Sequence, residues 1–402
     1  MVRLRQLLPL AALGALAVAG GAAVDQHSAD GADGRAAADA TLASPRIAAP
    51  APPRAYRLPP RAVRVRTSAG LARALARRAP TAIVLAPGSY DRIGATTPYF
   101  EARTGHRLYA ERRGRAVLRA GLEIGGNDGR SGGRVQGLVF DVTARYATQD
   151  AVLHIWGVVG RRTTVLDTTF HGDGAVGTAI LALQPAGLTV RRVRIRAFRD
   201  NGVRASDNDP SSQARIRAIT DVDVRGVKRS PAGSCDGRCE FGVWIGHRVR
   251  RPVERIRIRD FGWSGLWTGN RADDLRLRDL DIDGSARPNG NAVYLEHTTR
   301  RAILERFRLG PDIQIGIISE WDYGTLPTGA GVDNVIRHGL IRMAAGARAK
   351  RAGVVADDGT ERMTITHVSF RGCGAECIVD RGRATRIAGN DYDGARGVGA
   401  GR

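Results

Sequence analysis

Short segments in which apolar and polar residues alternate recur along most of this chain, separated by glycine, asparagine and aspartate. Successive side chains of a strand point to opposite faces, so each segment predicts a strand with one buried face. The first series of such segments consists of VRIR (193–196), VDVR (222–225), IRIR (256–259), LDID (280–283), FRLG (307–310), LIRM (340–343) and VSFR (368–371). Successive segments begin 24 to 34 residues apart, a spacing typical of a repeat protein.

A second series of strand-like segments lies between the members of the first. It consists of GVRAS (202–206), GVWIG (242–246), GLWTG (265–269), AVYLE (292–296), GIISE (316–320), GVVAD (353–357) and ECIVD (376–380). Two interleaved series of similar period place at least two strands in every repeat. We therefore expect an all-β solenoid, a coil of β rungs in which each rung pairs with the next.

A helical pattern precedes the repeats. In SAGLARALARR (68–78) the apolar residues have helical spacing, and Ser68 is a candidate N-cap. TAIVLAPGSY (81–90) then predicts a strand followed by a Pro-Gly turn.

This opening and the repeats resemble the right-handed parallel β-helix proteins of the pectin-lyase-like superfamily, over roughly residues 64–394. The most specific part of the resemblance is GLARALARRAPTAIVLAPGSYD, which is similar to the capping helix and first strand of that family. The resemblance implies a right-handed parallel β-helix with a short N-terminal capping helix. It does not imply one reaction, since one fold hosts many chemistries.

The 402 residues divide by composition into four parts. Residues 1–23 have a basic start, an apolar stretch and small residues at the end, which predicts a secretory signal peptide. Residues 24–62 form an Ala/Pro-rich linker, 63–396 the β-helix domain, and 397–402 a flexible tail. A retained membrane anchor is the less favoured alternative, because the apolar stretch is short and rich in alanine and glycine. We expect a secreted, extracellular monomer with no membrane span after signal cleavage.

The four cysteines form two close pairs, Cys235/Cys239 and Cys373/Cys377. In an exported chain such pairs predict two short-loop disulfides. Zinc is the weaker alternative, because no histidines flank the pairs at ligand spacing.

The formal net charge is +22, and nearly all of the positive charge is arginine. This charge suggests attraction to acidic polymers such as uronate polysaccharides. A compositional bias towards arginine, alanine and glycine is the equally weighted alternative. Nucleic acid is not an expected partner, because the arginines are spread along the chain and not gathered into one stripe.

Equivalent residues of adjacent rungs stack about 4.8 Å apart, so each aligned position becomes a column in space. In the first series an outward column alternates in sign through Arg194, Asp223, Arg257, Asp281 and Arg308, which predicts a structural ionic ladder. In the second series the third position reads Arg204, Trp244, Trp267, Tyr294, Ile318, Val355 and Ile378. The fifth position reads Ser206, Gly246, Gly269, Glu296, Glu320, Asp357 and Asp380.

These two columns should point the same way, into water, and they carry the candidate chemistry. Sugar rings stack on flat aromatic faces, and the neighbouring glycines leave room for such a ring. The predicted substrate-binding residues are Trp244, Trp267, Tyr294, Trp321 and His247; the predicted catalytic residues are Glu296, Glu320, Asp357 and His297. Carboxylates stacked at rung spacing repel, so at least one should have a raised pKa, which suits a pair of carboxylates for glycoside hydrolysis.

Structural alternatives remain open at both columns. The acids can form a calcium site or a solubilising stripe, and no other cofactor or metal is expected. Trp244 and Trp267 can form a secondary core under the loop at 227–241.

Family motifs favour no single reaction. Pectate lyases of the resembled family carry a calcium-linked aspartate where GVWIGH has Gly246, and the polygalacturonase signatures are absent. We therefore expect a polysaccharide-acting protein, hydrolase rather than lyase, on a glycan that can be acidic. The alternative is a non-catalytic, cell-surface or wall-associated carbohydrate-binding protein.

Overall fold

From Val63 onward the chain coils into a parallel β-helix built from two sheets. The computed structural model describes residues 47–48, 57–125, 130–148, 150–156, 159–183, 185, 187–205, 215–227, 241–246, 249–269, 272–285, 290–296, 299–320, 331–343, 352–374, 376–393 and 396–400. The predicted all-β parallel solenoid is confirmed. The predicted signal peptide and nearly all of the predicted linker lie outside the described residues.

The larger sheet contains 18 of the described strands. They are β1 Val63–Val65, β2 Ala82–Leu85, β3 Gly88–Tyr90, β5 Arg107–Ala110, β6 Ala116–Leu118, β8 Arg130–Gln136, β9 Val139–Asp141, β11 Val159–Leu166, β12 Thr169–His171, β14 Leu188–Phe198, β16 Ile216–Val227, β18 Val253–Phe261, β20 Arg276–Ser285, β22 Ile303–Leu309, β24 Val335–Arg342, β26 Thr364–Arg371, β28 Arg386–Ala388 and β29 Asp391–Tyr392.

The smaller sheet contains 12 of the described strands. They are β4 Phe100–Ala102, β7 Leu122–Ile124, β10 Ala151–Trp156, β13 Thr178–Leu183, β15 Asn201–Ala205, β17 Phe241–Ile245, β19 Ser264–Thr268, β21 Asn291–Glu296, β23 Ile315–Glu320, β25 Ala352–Ala356, β27 Glu376–Asp380 and β30 Arg396–Ala400. Each pairs in parallel with the strand of the next rung.

The larger sheet supplies two faces of the coil. Strands β11 and β12 both pair with β14, β11 along its first half and β12 along its second. From β14 to β26 a single long strand therefore turns the corner between two faces on every rung. The smaller sheet is the third face.

The interior is one continuous hydrophobic core, filled by the inward residues of all three faces. The second sequence series contributes a fully buried column from Val203 on β15 to Ile378 on β27. On β21, Val293 and Leu295 belong to this core and Tyr294 between them does not. The alternation read from the sequence is therefore the alternation in the structure.

A helix, α1 (Ser68–Leu75), precedes β2. Its N-cap is Thr67, whose hydroxyl accepts a hydrogen bond from the Gly70 amide at 3.1 Å. Ser68, the N-cap expected from the sequence, instead accepts from the Asp91 amide at 2.9 Å. At the other end, β30 lies where the sequence predicts a flexible tail, because it continues the ladder beyond β27.

The corner between the two faces of the larger sheet requires a left-handed backbone. The residues at this corner, here called the corner ladder, are Asp167, Arg192, Asp221, Arg255, Asp279, Arg306, His338 and His367. From Asp167 to Arg306 their φ angles are 51° to 57°, in the region that most L-residues avoid. Aspartate and arginine alternate over these six rungs, so opposite charges lie over each other.

Ion pairs join successive members of the corner ladder. Arg255 donates to both carboxylate oxygens of Asp221, at 2.6 and 3.3 Å, and Arg192 does the same to Asp167, at 2.6 and 3.1 Å. The aspartates are almost completely buried while the arginines reach the surface. Such two-point pairing of arginine with carboxylate is the strong form of the ion pair.

The ionic ladder predicted from the sequence runs beside this corner. Asp281 is its centre, with a side chain 4% exposed. It accepts from Arg259 at 2.7 Å and from Arg308 at 3.0 and 2.9 Å. Burial alone would raise the pKa of Asp281, but the hydrogen bonds from Arg308 and Arg259 outweigh burial and hold the pKa below its usual value.

We predict that Asp281→Asn destabilises the fold by about 2 kcal/mol at neutral pH, since it removes the charge that three arginines share. Because the folded pKa of Asp281 is lowered, its contribution is present above the unfolded value of about 3.9 and is lost as pH falls. Denaturant unfolding should therefore show a gap between wild type and variant that narrows under acid conditions. Asp312→Asn, at an exposed position, is the control. A gap independent of pH would contradict the role of the charge.

Candidate functional site

The outward residues of the smaller sheet form one column, here called the lateral column. Its register runs Arg204, Trp244, Trp267, Tyr294, Ile318, Val355 and Val379. This is the column expected from the sequence as far as Val355. At the last rung Val379 replaces Ile378, whose side chain lies in the main core.

The aromatic part of the lateral column is a packed cluster. The rings of Trp244 and Trp267 stack with centroids 4.7 Å apart and 8° between planes. Phe241 packs edge-on against Trp267 at 4.4 Å, and Tyr294 does so from the other side at 5.5 Å. Trp244 is 9% and Trp267 6% exposed, and Ile318 completes the cluster.

The expectation that these aromatics face open water is therefore wrong. Large flat rings at rung spacing bury each other's faces, and the hydrophobic effect favours that contact over exposure. The secondary core considered from the sequence is the arrangement observed for Trp244 and Trp267, with Phe241 as a member that the alignment did not single out. Most of the loop at 227–241, suggested as its cover, lies outside the described residues.

Two polar atoms in this cluster are notable. The indole N–H groups of Trp244 and Trp267 are buried and have no hydrogen-bond acceptor among the described residues. Buried donors are normally paired, so these two indoles are exceptions among the described residues. The guanidinium of Arg204 lies 4.0 Å above the Trp244 ring and closes the other end of the stack.

The acidic column begins where the aromatic cluster ends. Glu296 and Glu320 occupy paired positions on β21 and β23. Asp357 follows Ala356, the partner of Ser319, and so continues the same column. Glu296 is 5% exposed, whereas Glu320 and Asp357 are partly exposed.

The fourth expected acid is elsewhere. Asp380 pairs with Ala356, one position out of register with Asp357. Its carboxylate accepts from the Gly382 amide and the Thr385 hydroxyl, both at 3.0 Å, and so holds a turn. Arg381 takes the position beside Asp357 and donates to its carboxylate at 3.2 Å. The column therefore has three acids followed by an arginine.

Gly269 does not leave room for a sugar ring, contrary to the expectation. A Cβ placed on Gly269 would overlap the carboxylate of Glu296. The Glu296 side chain thus bends back over the preceding rung, away from Glu320. The glycine is needed because this space holds the carboxylate.

Several predicted residues lie outside the described part of the chain: His247, His297, Trp321, Cys235 and Cys239. The predicted Cys373–Cys377 disulfide is confirmed. In the described residues no group of three or more His, Cys, Asp or Glu side chains converges as a metal site. No described helix has the length and apolarity needed to cross a membrane.

The lateral column continues through earlier rungs that the sequence analysis did not include. Before Arg204 it reads Glu101, Glu123, His154 and Leu181 on β4, β7, β10 and β13. AVLHIW (151–156) has the same alternation as the second series, with His154 and Trp156 pointing outward. This signal was available in the sequence, although the second series as aligned began only at GVRAS (202–206).

We predict that Trp267→Ala lowers the free energy of unfolding by about 3–5 kcal/mol, because Trp267 lies at the centre of the aromatic cluster. Trp267→Phe keeps a ring in contact with Trp244 and Tyr294 and should cost much less. Denaturant titration of the two variants measures the difference. If Trp267→Ala unfolds like wild type, Trp267 is not a core residue. A loss of glycan binding in that variant would then show that the Trp267 ring contacts the glycan.

No protein-family model and no curated protein matches the sequence. The solved structures that match include three at 12–14% identity. The A-modules of the Azotobacter vinelandii mannuronan C-5 epimerases AlgE6 and AlgE4 have TM-scores of 0.43 and 0.39; each match covers 81% of this chain and, respectively, 94% and 96% of the module. The alginate lyase from Paenibacillus sp. str. FPU-7 has a TM-score of 0.33, with 84% of this chain and 97% of the lyase covered. At these identities and TM-scores, the similarities do not assign a function to this chain.

Proposed function

We propose that this chain is a secreted, polysaccharide-acting β-helix protein that hydrolyses a glycan bound along the lateral column. The observation that carries the proposal is the juxtaposition, on one face, of a packed aromatic cluster and a pair of carboxylates on the next rungs. The faces of the tryptophan rings are covered by one another, so the partly exposed Glu320 at the end of the cluster is the group that a sugar hydroxyl can reach.

Glu296 and Glu320 are the proposed catalytic pair. Glu296 is almost buried beside Tyr294, and it is assigned as general acid. Glu320 is partly exposed and is assigned as the base that activates water. Because the Glu296 side chain bends away from Glu320, the arrangement favours the wider separation of an inverting hydrolase, about 6.5–9.5 Å, over the closer retaining pair.

Asp357 is assigned a supporting role. Its carboxylate is already paired with Arg381, so it is a weaker candidate for proton transfer than the two glutamates. His297 remains a proposed participant from its position directly after Glu296 in the sequence.

A non-catalytic glycan-binding protein is the second candidate. The observation that favours it is the packing of the aromatic rings against one another, which holds this face of the sheet rigid while the ring faces stay covered. The two candidates differ in one respect: catalysis requires the glutamate charges, and binding on this face does not.

We predict that Glu320→Gln lowers turnover about a thousandfold, the usual contribution of a general acid or base, with an unchanged melting temperature. The assay is release of reducing ends from polygalacturonate, alginate, xylan and cellulose, with ultraviolet absorbance to detect the unsaturated product of a lyase. Asp312→Asn is the matched control, because it neutralises an exposed acid outside the lateral column.

The outcomes separate the two candidates. Loss of turnover with retained glycan binding supports the hydrolase, and turnover equal to wild type removes Glu320 from the mechanism. Binding without turnover in the wild-type chain supports the carbohydrate-binding alternative.

Calcium binding by the acidic column is the metal alternative that the sequence analysis left open. We predict that chelation with EDTA leaves the melting temperature unchanged, because Asp357 is paired with Arg381 and Glu296 bends towards Gly269. Thermal unfolding with and without EDTA measures this. A fall in the melting temperature that added calcium reverses would establish a structural ion.

A further inference from the structure

A second group of polar and aromatic side chains lies around the N-terminal rungs of the lateral column. It is called here the N-terminal cluster and consists of Tyr99, Glu123, Thr148, His154 and Trp156. Glu123 and His154 are paired across β7 and β10, and Trp156 lies on the same side of β10 as His154 because it is two residues further along.

Buried contacts fix Glu123 in place. The Thr148 hydroxyl donates to its carboxylate at 3.1 Å, and His154 Nδ1 lies 3.8 Å from the same oxygen. The His154 ring is completely buried, and neither of its nitrogens has a hydrogen-bond partner among the described residues. The His154 ring therefore packs beside the Glu123 carboxylate and limits where it can move.

The protonation of the two outer groups makes them complementary. The neighbouring His154 holds the pKa of Glu123 below its usual value, so Glu123 is an ionised acceptor. Burial, followed by the negative charges of Glu123 and Glu101, raises the pKa of Tyr99, so the phenol keeps its proton and can donate. One acceptor and one donor on the same surface suit the hydroxyl groups of a sugar.

Trp156 supplies an accessible ring beside these groups. It is 43% exposed, in contrast to the buried Trp244 and Trp267, and its centroid lies 5.9 Å from that of His154. The Trp156 ring is therefore open to contact with a ligand, unlike the two buried indoles.

A cleft opens next to the cluster, between α1 and the first rungs. Its volume is about 260 Å³, and its lining includes Tyr99, Glu101, Arg92 and Arg103. Tyr99 therefore belongs both to the cleft and to the surroundings of Glu123. The cleft extends the polar surface beyond the end of the lateral column.

We infer that Trp156, Glu123 and Tyr99 form a second carbohydrate subsite, with His154 and Thr148 as positioning residues. Trp156 stacks on a sugar ring, Glu123 accepts from its hydroxyls, and Tyr99 donates to them. This inference rests on the proposed function and specifies the substrate further. Five rungs separate β10 from β21, about 24 Å along the coil, so one glycan that contacts both places must be a polymer or a long oligomer.

The test compares ligand length. Wild type, Trp156→Ala, Trp156→Phe and Glu123→Gln are titrated, as full-length chains, with the polymers of the hydrolysis assay and with their short and long oligomers. Wild type should bind long oligomers about tenfold more tightly than di- and trisaccharides. Trp156→Ala and Glu123→Gln should lose that advantage and bind both lengths alike, while Trp156→Phe should retain most of it. Val398→Ala, at another exposed apolar residue, should match wild type.

The result also separates this inference from the proposed function. If wild type binds a glycan and Trp156→Ala keeps the full preference for long oligomers, the second subsite is wrong and the proposed function stands. If Trp156→Ala and Trp156→Phe are equally impaired and equally unstable to heat, the residue is structural and the subsite is again wrong. If wild type binds none of the polymers, the proposed function fails and the inference fails with it.

Discussion

The corner ladder is the interaction on which the rest of the structure depends. A coil with three flat faces must turn sharply on every rung, and the turn used here needs a left-handed residue in each long strand. That conformation costs about 1–2 kcal/mol for an ordinary residue, and the cost repeats along the stack. Alternating aspartate and arginine offset it, because each arginine donates to the buried aspartate of the rung before. The repeat in the backbone thus dictates a repeat in charge.

The same rung-to-rung spacing governs the outward face of the smaller sheet. A side chain there has its counterparts about 4.8 Å away on either side, so rings pack on rings and acids lie beside acids. Rings gain from that contact and bury each other, as Trp244 and Trp267 do. Stacked acids repel each other, and the Glu296 side chain bends over Gly269, whose lack of a side chain leaves space for the carboxylate. Rungs with the same backbone geometry therefore carry two chemically different regions on one face, the aromatic cluster and the acidic column. The proposed catalytic site lies at their border.

Much of this arrangement was readable from the sequence, because register in a solenoid follows from the apolar alternation alone. The pairing of Trp244 with Trp267 and of Glu296 with Glu320 was predicted correctly. Exposure was not predictable in this way, since alternation identifies the side of a strand and not what packs over it. The one-residue shift in register at β27 was not predicted, because ECIVD was aligned with the other segments on its final aspartate. In the structure the core residue Ile378 pairs with Val354 instead. The left-handed corner was also invisible: Asp221 and Arg255 look like ordinary polar residues between apolar ones.

The ion-pair ladders also show where some of the arginines lie in a chain whose net charge is +22. From the sequence, so many arginines suggested an acidic partner as strongly as a compositional bias. In the structure, Arg192, Arg255 and Arg306 pair with aspartates at a corner of the larger sheet, away from the lateral column. The described part of the lateral column carries Glu123 and a single arginine, Arg204, and the acidic column beside it carries Glu296. Each of these pairs is neutral, so the pairs do not account for the surplus of 22 positive charges, which lies on other residues. On the proposed binding face, Glu123 and Glu296 favour a glycan whose hydroxyls can donate to carboxylates.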